Sequence, residues 1–113
     1  MLRNLIVLVP FPFDGFSETK LRPALCLTDE IGKFKHVIIA FISSSTPKEL
    51  IESDLVIIKG SKDWEGTGLV VDSVIRLHKI VTIPKNLLIR KLGSINKSVE
   101  KEVISKLKNL FEF

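Results

Sequence analysis

The stretch Lys20-Leu21-Arg22-Pro23 is the part of this sequence best suited to hold an anion. It stands directly before the apolar run Ala24-Leu25-Cys26-Leu27. Proline has no backbone N–H, so Pro23 belongs at the start or edge of a strand. Arg22 is thereby held at a rim beside a rigid residue. From there its planar guanidinium can fork hydrogen bonds onto a phosphate. A surface ion pair is the other role open to an arginine so placed, and position alone does not separate the two. The loop before it carries Asp14, Glu18 and Lys20, the nearest candidates for a general base. A second chemistry-bearing cluster is the hydroxyl run Ser43-Ser44-Ser45-Thr46.

Other chemistries find little support. The six glycines are scattered and form no phosphate-cradling loop. There is no Gly-x-Ser-x-Gly elbow for serine hydrolysis. His36 and His78 are far apart with no evident nucleophile beside either, and read as structural. Cys26 is the single cysteine. It forms no internal disulfide, belongs to no cluster of metal-ligand spacing, and inside an apolar run behaves as a small hydrophobe. No metal or cofactor is expected. Tyrosine is absent, so base stacking would fall to phenylalanines, with Phe11, Phe13 and Phe16 best placed. Those three also suit a dimer interface, a partner peptide, or packing within the chain.

The elements that must position these residues can be read from hydropathy period. A strand is expected over 4–9, followed by a rim segment, Pro10 to Lys20, that turns at Asp14-Gly15. Further strands are expected over 22–28, 34–42, 54–59, 69–77, 79–83 and 88–92, with Gly93 after the last. Thr46-Pro47 could open a short helix. In the 69–77 strand, Val70, Asp72, Val74 and Arg76 should share one face, and Val71, Ser73, Ile75 and Leu77 the other. The loop 60–68 holds the only tryptophan, Trp64. The period then changes. Val99, Val103, Ile104, Leu107, Leu110 and Phe111 recur at helical spacing after a plausible cap, Asn96. Many short strands and one terminal helix predict a mostly β (α+β) fold, a small barrel with a helical lid.

At 113 residues the chain is expected to be one domain, 1–113. A hydrophobic fraction of 45% supplies a core without disulfide staples, and 27% charged residues argue against disorder. The formal net charge of +4 is unevenly placed. Residues 1–83 carry ten basic and ten acidic side chains, whereas 84–113 carry seven basic and three acidic. A bias this small permits nucleic-acid binding without requiring it. It implies that Arg22 acts by placement rather than within a broad basic field. The apolar run Leu5 to Val9 is interrupted by Pro10 and Pro12 and lacks a small-residue cleavage site, so it reads as a buried strand rather than a signal peptide. A lone reduced cysteine points to the cytoplasm.

Several segments together resemble the MazF/PemK toxins of bacterial and archaeal toxin–antitoxin systems. They are Val7-Leu8-Val9-Pro10-Phe11-Pro12-Phe13, Lys20-Leu21-Arg22-Pro23-Ala24-Leu25-Cys26-Leu27, Ile38-Ile39-Ala40-Phe41-Ile42-Ser43, Gly68-Leu69-Val70-Val71-Asp72-Ser73-Val74-Ile75 and Ile89-Arg90-Lys91-Leu92-Gly93-Ser94-Ile95. The resemblance runs in order over nearly the whole chain. It implies an SH3-like barrel, a homodimer, an antitoxin partner, and metal-independent cleavage of single-stranded RNA by attack of the 2′-hydroxyl on the adjacent phosphorus. By position, Arg22 matches the family's catalytic arginine, and Ser43 stands where a catalytic threonine is usual. RNA contacts are implied for Asp14, Ser17, Glu18, Lys20 and Ser44, and for Arg76 and Lys79 on a later strand.

This chain departs from the family pattern at three places. Asn4-Leu5 replaces the usual Gly-Asp before the first strand. Serine replaces threonine at 43. Lys79-Ile80-Val81-Thr82 stands where many members have Gln-x-Arg-Thr, with Lys79 or Arg76 expected to compensate. Two non-enzymatic alternatives on the same fold are a degenerate toxin that keeps only the antitoxin contact, and a CcdB-like toxin that binds DNA gyrase.

Overall fold

The computed structural model describes residues 1–11 and 20–112. Six strands and one helix occur in the order β1 (Leu5–Phe11), β2 (Lys20–Cys26), β3 (His36–Ser43), β4 (Asp54–Ile57), β5 (Ser73–Pro84), β6 (Arg90–Ser94) and α1 (Lys97–Phe111). The strands form one curled antiparallel sheet in the order β4-β5-β3-β2-β1-β6. The expected mostly β fold with a C-terminal helix is what is observed, with β4 and β6 as the two edges of a half-barrel.

The central strands bury both faces, which is why their sequences read as continuous apolar runs. One cluster fills one face of the sheet: Ile6, Leu25, Ala40, Ile42, Ile75 and Leu77 from the strands, closed by Val99 and Val103 of α1. The second lies on the opposite face: Val7, Val9, Ala24, Cys26, Val37, Ile39 and Phe41. Val81 and Ile83, from the far half of β5, pack against it. Each fully buried aliphatic side chain here contributes about 1.5–3 kcal/mol from area removed from water.

Several local expectations need correction. No helix forms at Thr46-Pro47. A single turn fixes several backbone dihedrals for one hydrogen bond, and nothing in this segment repays that cost. The strands expected at 69–77 and 79–83 are one strand that starts only at Ser73. Val70 is 76% exposed while Val74 is 2% exposed, so they do not share an environment as alternation implied. Phe34 belongs to a short 3₁₀ turn, Gly32–Phe34, rather than to β3. Gly93 lies inside β6 opposite Ile6 rather than after the strand. A Cβ there would stand 2.2 Å from the Gly66 carbonyl oxygen, so the position is set by close backbone approach.

Asn4 has φ 74°, in the left-handed region. Glycine and asparagine are the residues that enter it at least cost, which accounts for an asparagine at this position. Its side-chain amide donates to Glu100 Oε2 and ties the start of β1 to α1. The helix is capped as expected: Asn96 Oδ1 accepts the Val99 N–H at 2.8 Å. The apolar stripe is only half used. Val99 and Val103 are buried, whereas Ile104, Leu110 and Phe111 are exposed.

Candidate active site

Arg22 and Ser43 come together because of strand register. The β2–β3 ladder runs from Cys26↔Ile39 to Ala24↔Phe41. Beyond it Pro23 pairs with Leu8 of β1, and Arg22 with Val9. Two residues further along each strand come Arg22 and Ser43, and both line one pocket. Side chains alternate along a strand, so Arg22 continues the face of Ala24 and Cys26, and Ser43 that of Ile39 and Phe41. The second cluster thus ends in a polar rim. Pro23 lies inside β2 rather than at its expected start, but it stands where the pairing with β3 stops, so its missing N–H costs no bond to β3.

A bulge brings β5 to the same rim. Ala40 of β3 pairs with Ile80, but its neighbour Phe41 pairs with Arg76. Leu77, His78 and Lys79 fall between, without β3 partners in the register. Bulges of this kind re-aim side chains. Arg76 and Lys79 both reach a pocket of about 200 Å³ that Arg22, Phe41, Ile42, Ser43, Ser44 and Ser45 also line. Among the described residues the lining holds three cations and three serines and no carboxylate. Although residues 1–83 are neutral overall, three of their cations gather at this corner.

Ser43 is already engaged. Its Oγ donates to the Ser45 carbonyl at 2.8 Å and accepts the Ser45 N–H at 3.1 Å. The hydroxyl closes a tight turn at the pocket mouth, and its one hydrogen must leave the Ser45 carbonyl before it can serve an incoming anion. Arg76 is held from behind: its Nε donates to Asp54 Oδ1 at 2.7 Å. Asp54 Oδ2 also accepts the Ile51 N–H at 3.0 Å, and His78 Nδ1 lies 3.9 Å from Oδ1. Sequence reading does not single out Asp54. It stands 22 residues from Arg76, and only sheet pairing joins them.

Of the expected site residues, Arg22, Ser43, Ser44, Arg76 and Lys79 line one pocket. Lys20 does not; it is exposed, paired with Phe11 at the outer end of β2. Asp14, Ser17 and Glu18 lie outside the described residues, as do Phe13 and Phe16. Val81 packs against the second cluster instead of facing the pocket. His36 stacks on Phe34 at 5.6 Å, away from the site. Cys26 is fully buried, and that burial, followed by the charge of Asp29, pushes its thiol up to about 11. It is therefore a core residue and an inert thiol. Among the described residues no group of three or more His, Cys, Asp or Glu gathers as a metal site, and no helix is long and apolar enough to cross a membrane.

A sequence profile for PemK-like, MazF-like toxins of type II toxin–antitoxin systems matches residues 2–111. Solved structures of similar fold include the Mycobacterium tuberculosis toxin MazF-mt6, at 23% identity and TM-score 0.73 over 96% of this chain and 97% of that one. A mycobacterial endoribonuclease in complex with its cognate antitoxin aligns at 15% identity and TM-score 0.75, covering 100% of this chain and 96% of that one. MazF from Deinococcus radiodurans aligns at 18% identity and TM-score 0.73, covering 98% and 96%. None of the curated proteins compared with the chain matches it in sequence. At these identities the structural likeness concerns the fold.

Proposed function

This chain belongs to the PemK-like, MazF-like toxins of type II toxin–antitoxin systems, and from that premise we propose that it is a metal-independent endoribonuclease that cuts single-stranded RNA with sequence preference. The observation that carries the proposal is the pocket where Arg22, Arg76 and Lys79 converge with three serines. Such a lining suits a phosphodiester, whose charge grows on the phosphoryl oxygens as the transition state forms.

In the proposed reaction the ribose 2′-oxygen attacks the adjacent phosphorus in line. The 2′-proton passes to the general base, the bond to the 5′-oxygen breaks, and that oxygen takes a proton from water, leaving a 2′,3′-cyclic phosphate and a 5′-hydroxyl. Arg22 stabilises the charge that develops on the phosphoryl oxygens, an interaction stronger in the transition state than in the ground state. Ser43 turns its hydrogen from the Ser45 carbonyl to the phosphate and holds it for attack. Arg76, Lys79 and Ser44 bind the flanking backbone. Guanidinium groups do not serve as proton donors in proteins, so Arg22 is given the electrostatic role alone. No carboxylate or histidine lines the described pocket. Asp14 and Glu18, in the segment joining β1 to β2, remain the candidates for the base, and Lys20 at its end is a third.

An antitoxin is the proposed protein partner and a second copy of the chain the proposed dimer mate, with the cytoplasm as the compartment. A mycobacterial relative of the same fold is solved with its cognate antitoxin. The exposed apolar side chains on the last turns of α1 offer a surface that a protein would cover. The test is incubation of purified protein with a long single-stranded RNA in EDTA. Wild type should cut it and leave cyclic-phosphate ends, and Arg22→Ala should not. No cutting by wild type, or equal cutting by the variant, refutes the reading. The hydrogen that Ser43 gives to Ser45 favours one competitor, a toxin that binds its target without cutting RNA. Growth arrest that persists in Arg22→Ala would support it.

A further inference from the structure

Behind the pocket lies a carboxylate that the proposed reaction does not use. Asp54 opens the edge strand β4, and its side chain is 1% exposed. A buried carboxylate weakens any neighbouring anion site on charge alone, and burying it costs free energy unless it is paired and hydrogen-bonded. Asp54 meets both conditions through Arg76 and the Ile51 N–H. His78 is the other titratable group facing it. The bond to Arg76 has a particular form. It engages Nε, on the stem side of the guanidinium, and leaves the terminal nitrogens of the fork for the pocket that Arg76 lines. Register enforces the arrangement, since Asp54 and Arg76 are directly paired across β4 and β5, next to the bulge.

We propose that Asp54 is a positioning residue that fixes Arg76 as a second guanidinium on the RNA backbone, so that the phosphate chain is gripped from two strands, by Arg22 of β2 and Arg76 of β5. This rests on the ribonuclease reading and adds to it. Arg76 holds phosphate in ground and transition states alike, so losing its alignment acts mainly on KM, whereas losing Arg22 acts on kcat. The sign of the effect separates positioning from simple charge. Neutralising Asp54 makes the pocket more positive, which by Coulomb attraction alone would tighten RNA binding. By positioning it loosens binding, because the guanidinium is no longer held in one orientation.

The experiment is steady-state cleavage of a defined single-stranded RNA in EDTA, with thermal melts to confirm folding. Asp54→Asn should raise KM by about tenfold with kcat little changed, as for one lost charge-assisted hydrogen bond. Its log–log salt dependence should fall by about 0.7 per lost phosphate contact. In an Arg76→Gln background, Asp54→Asn should have no further effect. Arg76→Lys, which keeps the charge but has no Nε to grip, should behave like Asp54→Asn and serves if that variant does not fold. An unchanged or lower KM in Asp54→Asn, additivity with Arg76→Gln, or a wild-type KM in Arg76→Lys overturns the positioning role while leaving the ribonuclease intact. No cleavage by wild type overturns both together.

Discussion

Replacing Ser43 by alanine separates a catalytic hydroxyl from a structural one, because the structure sets the size of the structural effect. The side chain makes two hydrogen bonds, both to the main chain of Ser45, in an exposed turn. Net hydrogen bonds contribute about 0.5–1.5 kcal/mol each, and the groups released here can turn to water. The expected loss of stability is therefore about 1 kcal/mol, a fall in Tm of roughly 4 °C for a domain of this size. Domain stabilities are about 5–15 kcal/mol, so the variant stays folded at assay temperature. Any large loss of activity must then come from the reaction itself. If Ser43 donates to the phosphate, removal should slow cleavage by about 100- to 1000-fold. The assay is single-turnover cleavage of an RNA oligonucleotide with enzyme in excess, beside urea melts of the same preparations. Ser45→Ala keeps the Ser43 turn, since Ser45 takes part through its main chain, and should cleave nearly as wild type. Ser43→Thr keeps the hydroxyl and narrows its rotamers, and should be at least as active. A Ser43→Ala variant that cleaves like wild type would refute the phosphate contact. Equal losses in Ser43→Ala and Ser45→Ala would refute the assignment of the hydroxyl.

Other outcomes follow from single contacts. Cys26 should resist thiol reagents at pH 8 in the folded protein and react promptly in urea, because only the thiolate reacts and burial holds its ionisation near 11. As the unfolded thiol ionises first, that residue's contribution to stability should decline as pH rises from 9.0 toward 11, and Cys26→Ala should flatten the decline in a Tm-against-pH series. Asp29 accepts the Arg3 and Leu2 N–H groups, bonds that hold its carboxyl below the model-peptide value of 3.8. A depressed carboxyl stabilises above that pH and loses the effect as pH falls through its folded value. Asp29→Asn should therefore reduce acid sensitivity below about pH 4 in the same series. Gly93→Ala should destabilise β6 by more than about 1 kcal/mol in urea melts, because its Cβ would meet the Gly66 carbonyl at 2.2 Å and backbone must move to admit it.

Much of this protein is legible in the sequence because the relevant signals are local. The helical period after Asn96 and the cap itself report α1 within its own residues. Pro23 reports the end of β2's pairing with β3, since a missing N–H is excluded from a central ladder, and so it places Arg22 at a rim. The ordered string of segments around Arg22-Pro23 and Ser43 identifies the family. Three features needed the tertiary structure, and each depends on long-range pairing. The offset in β5 opposite Ala40 and Phe41 brings Arg76 and Lys79 to one pocket, and no periodicity in 69–83 announces it. The grip of Asp54 on Arg76 joins residues from different strands. Three cations gather at one pocket from a stretch whose charges sum to zero, because electrostatics follows distance in space and not position along the chain. The sequence by itself determined that an arginine would precede a proline and an apolar strand, and the family resemblance gave it a serine as partner. Only folding decided that a second, carboxylate-held guanidinium would face the same pocket.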